Sequence, residues 1–141
     1  MIDPFKGHGV VIAPATHPPY IELMRAMLCA GGGYGLVFRG TEGEPFANPK
    51  RRPRLEYIYQ GNSAILFEAE HDSIKVLPHL PEAADARTTA IWTQKVLDNQ
   101  APIPLPLANQ LACCLYASGF AQDFHQAKAL VAVENSMLAV A

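Results

Sequence analysis

The sequence predicts an α+β fold: a small, mostly antiparallel sheet of four to five strands with one N-terminal helix, followed by a three-helix C-terminal half. Apart from one helical stretch that ends at Gly31, apolar side chains up to residue 77 occur in short runs or at every second position, as is typical of strands. After Pro81 they recur at three and four residues, which is the period of a helix. A chain of 141 residues suits one domain. We therefore predict a single domain, 1–141, with a sheet-rich half, 1–80, and a helical half, 81–141.

The first predicted strand is short and covers Val10 to Ile12, because Pro14 is expected to end it. A helix then begins after Thr16 or His17, with two prolines in its first turn, where a missing amide proton is harmless. Gly31 to Gly33 end this helix. Its predicted buried face consists of apolar residues spaced by three and four: Tyr20, Leu23, Met24, Met27 and Leu28.

The next strand, Tyr34 to Arg39, places Leu36 and Phe38 on one face and Val37 on the other. Prolines and glycines between residues 40 and 53 predict a long surface loop.

A β-hairpin is predicted next, with strands at 55–59 and 63–70. Strict alternation puts Ile65 and Phe67 on one face of its second strand and Leu66 on the other. A last short strand is predicted at Ile74 to Leu77.

In the helical half, alternating prolines between residues 101 and 106 predict an extended connector between the first helix and the second. Gly119 is expected to cap the second helix at its C-terminus, and the third begins near Phe120. The first helix has a predicted buried stripe of Ala84, Thr88, Ile91, Trp92 and Val96.

The last 41 residues carry only three charged side chains, those of Asp123, Lys128 and Glu134. Helices this poor in charge must be covered by the rest of the chain or by a partner. We therefore predict a non-enzymatic interaction or assembly protein, of the kind found among bacterial and phage accessory factors, that associates with itself or with another protein. The predicted interaction face is formed by Leu107, Leu111, Leu115, Phe124 and Val131.

A basic cluster gives an alternative function. Four of the 11 basic residues lie within five positions, and Tyr57 and Tyr59 follow on one strand face. Arginine binds phosphate and acidic surfaces in bidentate geometry, and tyrosine rings stack on bases. This pattern predicts phosphate or nucleic-acid contact, or else a solvated loop whose arginines pair with nearby glutamates. The four basic residues are Lys50, Arg51, Arg52 and Arg54.

A second alternative is a small-ligand-binding protein or enzyme with a site near the first strand and the glycine turn, around His8, His17, Gly33 and Tyr34. A glycine-rich loop that binds phosphate connects a strand to a helix, whereas these glycines connect a helix to a strand, so a helix cap is the simpler interpretation. No spacing assembles a catalytic set, and neither a cofactor nor a metal is predicted.

The composition of the chain indicates its cellular compartment and limits its expected partners. A net charge of −2 gives no overall attraction to nucleic acid or to an anionic membrane. Three cysteines do not form a disulfide framework, which favours a reducing, cytoplasmic location. The N-terminus lacks the pattern of a signal peptide, and prolines interrupt the longest uncharged run, so no membrane association is predicted.

Overall fold

The computed structural model describes residues 9–41, 44–45, 48, 50–71, 80–81, 83 and 85–137, with only the backbone after residue 132. The strands within these ranges are β1 (Val10–Ala15), β2 (Tyr34–Arg39), β3 (Arg51–Arg52), β4 (Leu55–Tyr59), β5 (Asn62–Phe67) and β6 (Glu70–His71). The helices are α1 (Pro18–Gly31), α2 (Ala86–Leu97), α3 (Leu105–Ala117) and α4 (Phe124–Met137). This order confirms the predicted α+β class. The strand predicted at 74–77 lies outside the described residues.

The main sheet has four strands in the order β1-β2-β4-β5. β1 and β2 are parallel and are connected by α1, whereas the two other pairings are antiparallel. The sheet is therefore mixed but mostly antiparallel, as predicted. The predicted loop at 40–53 contains β3, which pairs with β6 in a separate two-stranded ribbon.

The first strand is longer than predicted, because β1 continues through Pro14 to Ala15. Proline is tolerated here since β1 is an edge strand with β2 as its one partner in the sheet.

α1 begins and ends as predicted. His17 occupies the N-cap position before two prolines. Gly32 has a φ of 66°, a left-handed conformation that glycine adopts without steric cost, and its N–H donates to the carbonyl oxygen of Cys29. The glycine run is thus the cap of a helix that leads into β2.

The buried face of α1 differs from the prediction. Leu28 is buried, and Ile21 and Met24 pack with it against one face of the sheet, where Val37 and Ile58 are fully covered. Three residues predicted to be buried are instead exposed by 40% or more: Tyr20, Leu23 and Met27. Both sets repeat at helical spacing, so periodicity alone could not decide which one contacts the sheet.

One buried carboxylate connects α1 to the hairpin. The side chain of Glu56 in β4 is 8% exposed, and its Oε2 lies 3.2 Å from Nη1 of Arg25 in α1. Nε of Arg54 lies 3.5 Å from Oε1 of the same carboxylate. A buried carboxylate is tolerated when cations and hydrogen bonds replace its hydration, as they do here.

The opposite face of the sheet is covered by α3. Leu36 and Phe38 of β2 pack against Cys113 and Ala117, so the predicted division of β2 into two faces is confirmed. α4 covers α3 in turn through a cluster with small side chains, in which Ala127 is completely buried. The order of layers is therefore α1, sheet, α3 and α4.

α2 packs less closely than predicted. Asp85 caps it, since the carboxylate accepts a hydrogen bond from the N–H of Thr88 at 2.9 Å. Ile91 is 52% exposed, and Trp92 and Val96 are half-buried. Ala84 lies outside the described residues. Among the described residues of α2 none is buried, so its apolar stripe is only partly covered.

The helix boundaries in the last part of the chain follow local signals. Gly119 follows the C-cap of α3 with a φ of 75°, which confirms it as the predicted terminator. α4 begins at Phe124, four residues later than predicted, and the carboxylate of Asp123 accepts a hydrogen bond from the N–H of Gln126 at 2.8 Å.

Candidate ligand-binding site

A cavity of about 220 Å³ lies between the α3-facing side of the sheet and the helices α3 and α4. Its apolar lining includes Ile12, Leu36, Phe38, Leu55, Phe67, Leu105 and Phe124. Its polar lining includes Arg51, Arg52, Glu70, Asn109, Gln110 and Lys128. An apolar cavity with a few convergent polar groups is the usual form of a small-molecule site.

A β-bulge places Phe67 in this cavity. Leu55 pairs with Phe67 and Glu56 with Ile65, so Leu66 is an extra residue in β5. Both Leu66 and Phe67 therefore pack on the α3 side, while Ile65 is 48% exposed. The prediction that Ile65 and Phe67 share a face is wrong, because it assumed strict alternation along this strand.

Phe67 joins the hairpin to α4 and to β3. Its ring centroid lies 4.7 Å from that of Phe124, with the ring planes inclined at 69°. The guanidinium carbon of Arg52 lies 5.0 Å from the centroid of Phe67, within cation–π range. Nη2 of Arg52 also lies 2.9 Å from Oε2 of Glu70 across the β3–β6 ribbon. The charge of Arg52 is therefore balanced within the cavity wall.

Arg51, unlike Arg52, is not paired with a described carboxylate. Its Nε is buried, and within the described part of the chain it has no hydrogen-bond partner. Leaving a buried donor unpaired costs about 1–3 kcal/mol, and more when the group is charged. Arg51 also belongs to the cavity lining.

Among the other lining residues, Gln110 is held in place by a hydrogen bond, and Cys113 and Cys114 carry uncharged thiols. Nε2 of Gln110 donates to the carbonyl oxygen of Pro45 at 2.9 Å, which ties α3 to the loop before β3. Burial is the main cause that raises the pKa of the Cys113 thiol to about 12, and burial also raises the pKa of Cys114. Because their pKa values are raised, these two free cysteines are neutral thiols near pH 7, and neutral thiols are poor nucleophiles.

The predicted basic cluster is divided between two sides of the sheet. Arg51 and Arg52 line the cavity, whereas Arg54 contacts Glu56 on the side of α1. Lys50 is exposed, and its backbone N–H donates to Oδ1 of an asparagine two residues earlier, at 2.9 Å. The four cations do not form one continuous surface.

Tyr57 and Tyr59, the two tyrosines predicted to stack on bases, stack on each other. The ring centroids of Tyr57 and Tyr59 lie 5.3 Å apart with the planes inclined at 22°, and Tyr57 also contacts Tyr116 of α3. Burial, followed by the neighbouring tyrosines, raises the pKa of Tyr57.

The predicted interaction face is distributed over three environments. Leu107 and Leu111 are each 44% exposed on α3, and Leu115 is half-buried. Phe124 lines the cavity, and Val131 is 6% exposed between α3 and α4. Only the first two present much apolar surface to solvent.

Of the residues predicted to form a site around the glycine turn, the structure places His17 and Tyr34 at opposite ends of β1. Parallel pairing of β1 with β2 places Tyr34 beside the start of β1, whereas His17 follows its end. His17 is exposed, and its Nδ1 lies 2.8 Å from Oγ1 of Thr16. His8 lies outside the described residues.

Within the described ranges, no group of three or more His, Cys, Asp or Glu side chains is placed to hold a metal ion. None of the helices found there combines the length and apolar character needed to cross a membrane.

The chain is similar to part of a longer bacterial protein. The chain is 37% identical over 120 residues to the uncharacterized protein YbiB of Escherichia coli (strain K12). These residues are 84% of this chain and 37% of that protein, so the chain spans well under half the length of the curated relative it matches. No family model matches the chain. The similarity shows that a related sequence occurs within a longer protein, and it names no activity.

Proposed function

We propose that the chain is a small-ligand-binding protein whose cavity binds an anionic ligand through Arg51. The observation that carries this proposal is Arg51, which belongs to the lining of a largely apolar cavity and whose buried Nε has no partner among the described residues. Low polarity around a cation strengthens its interaction with an anion. The ligand site thus differs from the one predicted at the glycine turn, although it includes two residues of the predicted basic cluster.

The charge distribution around the cavity favours an anion. Glu70 is paired with Arg52, so these two side chains contribute little net charge. Arg51 and Lys128 then remain as the cations of the lining. α3 also starts at the cavity with Leu105, and the N-terminal end of a helix carries a partial positive charge.

The test is thermal unfolding with a panel of acetate, inorganic phosphate and sulfate. At least one anion is expected to stabilise the chain, by about 2.7 kcal/mol when its concentration is 100 times its Kd. Arg51→Gln should remove this stabilisation because it removes the guanidinium. Arg54→Gln is the matched control and should keep it, since Arg54 lies outside the cavity lining. Equal responses of both variants would contradict the proposal.

A second candidate function is assembly with another copy of this chain, which is favoured by the exposed leucines of α3. Leu107 and Leu111 are each 44% exposed and lie one turn apart on the same face of the helix. A cytoplasmic location forms part of this proposal and is supported by the three free cysteines. Nucleic-acid contact through residues 50–54 stays a prediction.

Light scattering behind size exclusion tests assembly. A dimer should have twice the mass of the 15.3 kDa chain over a range of concentrations. Leu111→Asp should return it to the monomer mass, because a charge on the contact face must lose its hydration. Leu97→Asp is the control on α2, where the leucine is 69% exposed, and should leave the mass unchanged. A wild-type monomer at every concentration would exclude this candidate.

A further inference from the structure

We propose that the outer edge of β1 is a docking surface for a further β-strand, which comes from polypeptide of the kind that accompanies the related sequence in the longer relative YbiB. The occupant is an extended segment with apolar side chains on both of its faces. This surface is separate from the anion site and does not involve Arg51. Three features lead to it: the backbone groups along β1, apolar side chains on both sides of that edge, and a contrast with the other edge of the sheet.

The outer edge of β1 presents backbone groups that no described strand binds. The carbonyl oxygen of Ala15 accepts a hydrogen bond from the N–H of Gly40, just after β2, at 3.0 Å. Backbone groups alternate in direction along a regular strand, so those of Val10 and Ile12 are directed away from β2. β1 is the first strand in the sheet order, and among the described residues no strand lies on its other side. Pro14 falls at one of the same outward positions, where its missing N–H costs no bond to β2.

On one face of the sheet, α1 carries apolar side chains toward this edge. Arg25 of α1 reaches Glu56 of β4, so this side of the helix faces the inner strands. A helix turns by about 100° per residue, which places three other apolar residues roughly opposite Arg25 and therefore on the side of β1. They are exposed by 40% or more: Tyr20, Leu23 and Met27. A strand beside β1 would cover part of this apolar surface.

On the other face of the sheet, the same edge is also apolar. Ile12 is 38% exposed, and Leu105 in the first turn of α3 is 57% exposed. Both residues line one side of the cavity. Successive side chains of a strand point to opposite faces, so an added strand would contact α1 with one set and these two residues with the other. It would therefore gain apolar contacts on both faces as well as backbone hydrogen bonds.

The opposite edge of the sheet, formed by β5, is less suited to pairing. The bulge at Leu66 interrupts the regular spacing of its backbone groups. Asn62 and Ser63 at its start are exposed and polar. Bulges, charged side chains and prolines are the usual means by which edge strands avoid pairing. β1 has a single proline near its end, with neither a bulge nor a charged residue, so it is the edge that favours a partner.

The longer relative favours a strand from further polypeptide over one from a second copy of this chain. Most of the length of YbiB lies outside the matched residues, so the related sequence is joined there to a larger body of polypeptide. The composition of β1 agrees with this assignment. Val10–Ala15 carries no polar side chain, which is typical of a parallel strand inside a covered sheet. A second copy is the alternative occupant, and the experiment separates the two.

Synthetic peptides test the proposal on the full chain. Overlapping peptides of about 12 residues, roughly twice the usual length of a strand, would cover the part of YbiB outside the matched residues. Fluorescence anisotropy measures their binding, and at least one peptide is expected to bind. Hydrogen exchange should be fast at the amide of Ile12 in the chain alone, because no described strand accepts from it. The bound peptide should slow this exchange.

Three variants locate the binding. Ile12→Pro removes an outward N–H and should weaken peptide binding about tenfold. Leu23→Asp should weaken it by a similar factor, because a charge on the contact surface must lose its hydration, and it serves alone if Ile12→Pro does not fold. Ile65→Asp is the matched control at the β5 edge and should bind like the wild type. Circular dichroism verifies that each variant is folded.

The other outcomes contradict the proposal. Slow exchange at the amide of Ile12 in the chain alone would mean that this edge is already paired. Peptide binding that is lost in Ile65→Asp would place the interface at β5. If no peptide binds and Leu23→Asp converts a dimer of the chain to a monomer, the occupant is a second copy. If no peptide binds a monomeric chain, the edge is not a docking surface. Anion binding is measured separately, so each of these results leaves the proposed function standing.

Discussion

Ile58→Ala is expected to lower the free energy of unfolding by about 3 kcal/mol, within the range of 2–5 kcal/mol found when a buried isoleucine is truncated. Ile58 is completely buried in β4, where it packs with Val37, Leu28 and Ala13 between α1 and the sheet. Truncation removes apolar contacts and leaves a cavity that the two layers cannot close without moving. Urea denaturation measures the change as a lower midpoint at unchanged slope.

Ile65→Ala is the matched control, because this residue lies in the other strand of the same hairpin and is 48% exposed. Its cost should stay below about 1 kcal/mol, since much of its side chain already contacts water. Equal losses in both variants would mean that Ile65 is buried, which would contradict the bulge that places it on the outer part of β5.

Ala127→Leu is expected to cost about 1–3 kcal/mol, because the larger side chain has no space at the contact between α3 and α4. Ala127 has no exposed surface and packs in the cluster with Ala112, Ala121 and Val131. Moving α4 away from α3 would also displace Phe124 and Lys128, which line the cavity. The variant should therefore unfold earlier and bind the anion more weakly.

Ala129→Leu is the control on the same helix. Ala129 is exposed, so its substitution should change the free energy of unfolding by no more than about 0.5 kcal/mol. Urea denaturation and the anion titration are applied to both variants. If Ala127→Leu unfolds like the wild type, the close packing of α4 on α3 is incorrect.

Local patterns in the sequence were sufficient to predict the class of the fold and several of its elements. β2 pairs with both of its neighbours without a register shift, so the opposite faces of Val37 and Leu36 followed from regular strand geometry. Gly32 and Gly119 could be assigned to helix ends because a left-handed residue is a local requirement. Information of this kind needs no knowledge of distant contacts.

The cavity depends on contacts that the sequence does not display. The bulge at Leu66 reverses the expected side of Phe67, and no turn residue marks it. Arg51 and Lys128 are 77 positions apart, and only the packing of α4 brings them to one cavity. The basic cluster did indicate two lining residues, Arg51 and Arg52, but not that a neighbour in the cluster contacts the opposite side.

The cavity lies between the sheet and the last two helices, so a bound ligand affects how these parts of the chain separate. Its lining combines residues of the sheet, such as Ile12 and Phe38, with residues of the last two helices, such as Gln110 and Lys128. In the empty protein, the free energy needed to detach α3 and α4 can be smaller than that of global unfolding. A bound ligand must be released before these helices separate, and it is also released on global unfolding, so it raises both free energies by the same amount. Occupancy of the cavity therefore makes the opening of α3 and α4 rarer by the same factor as the unfolding of the whole chain.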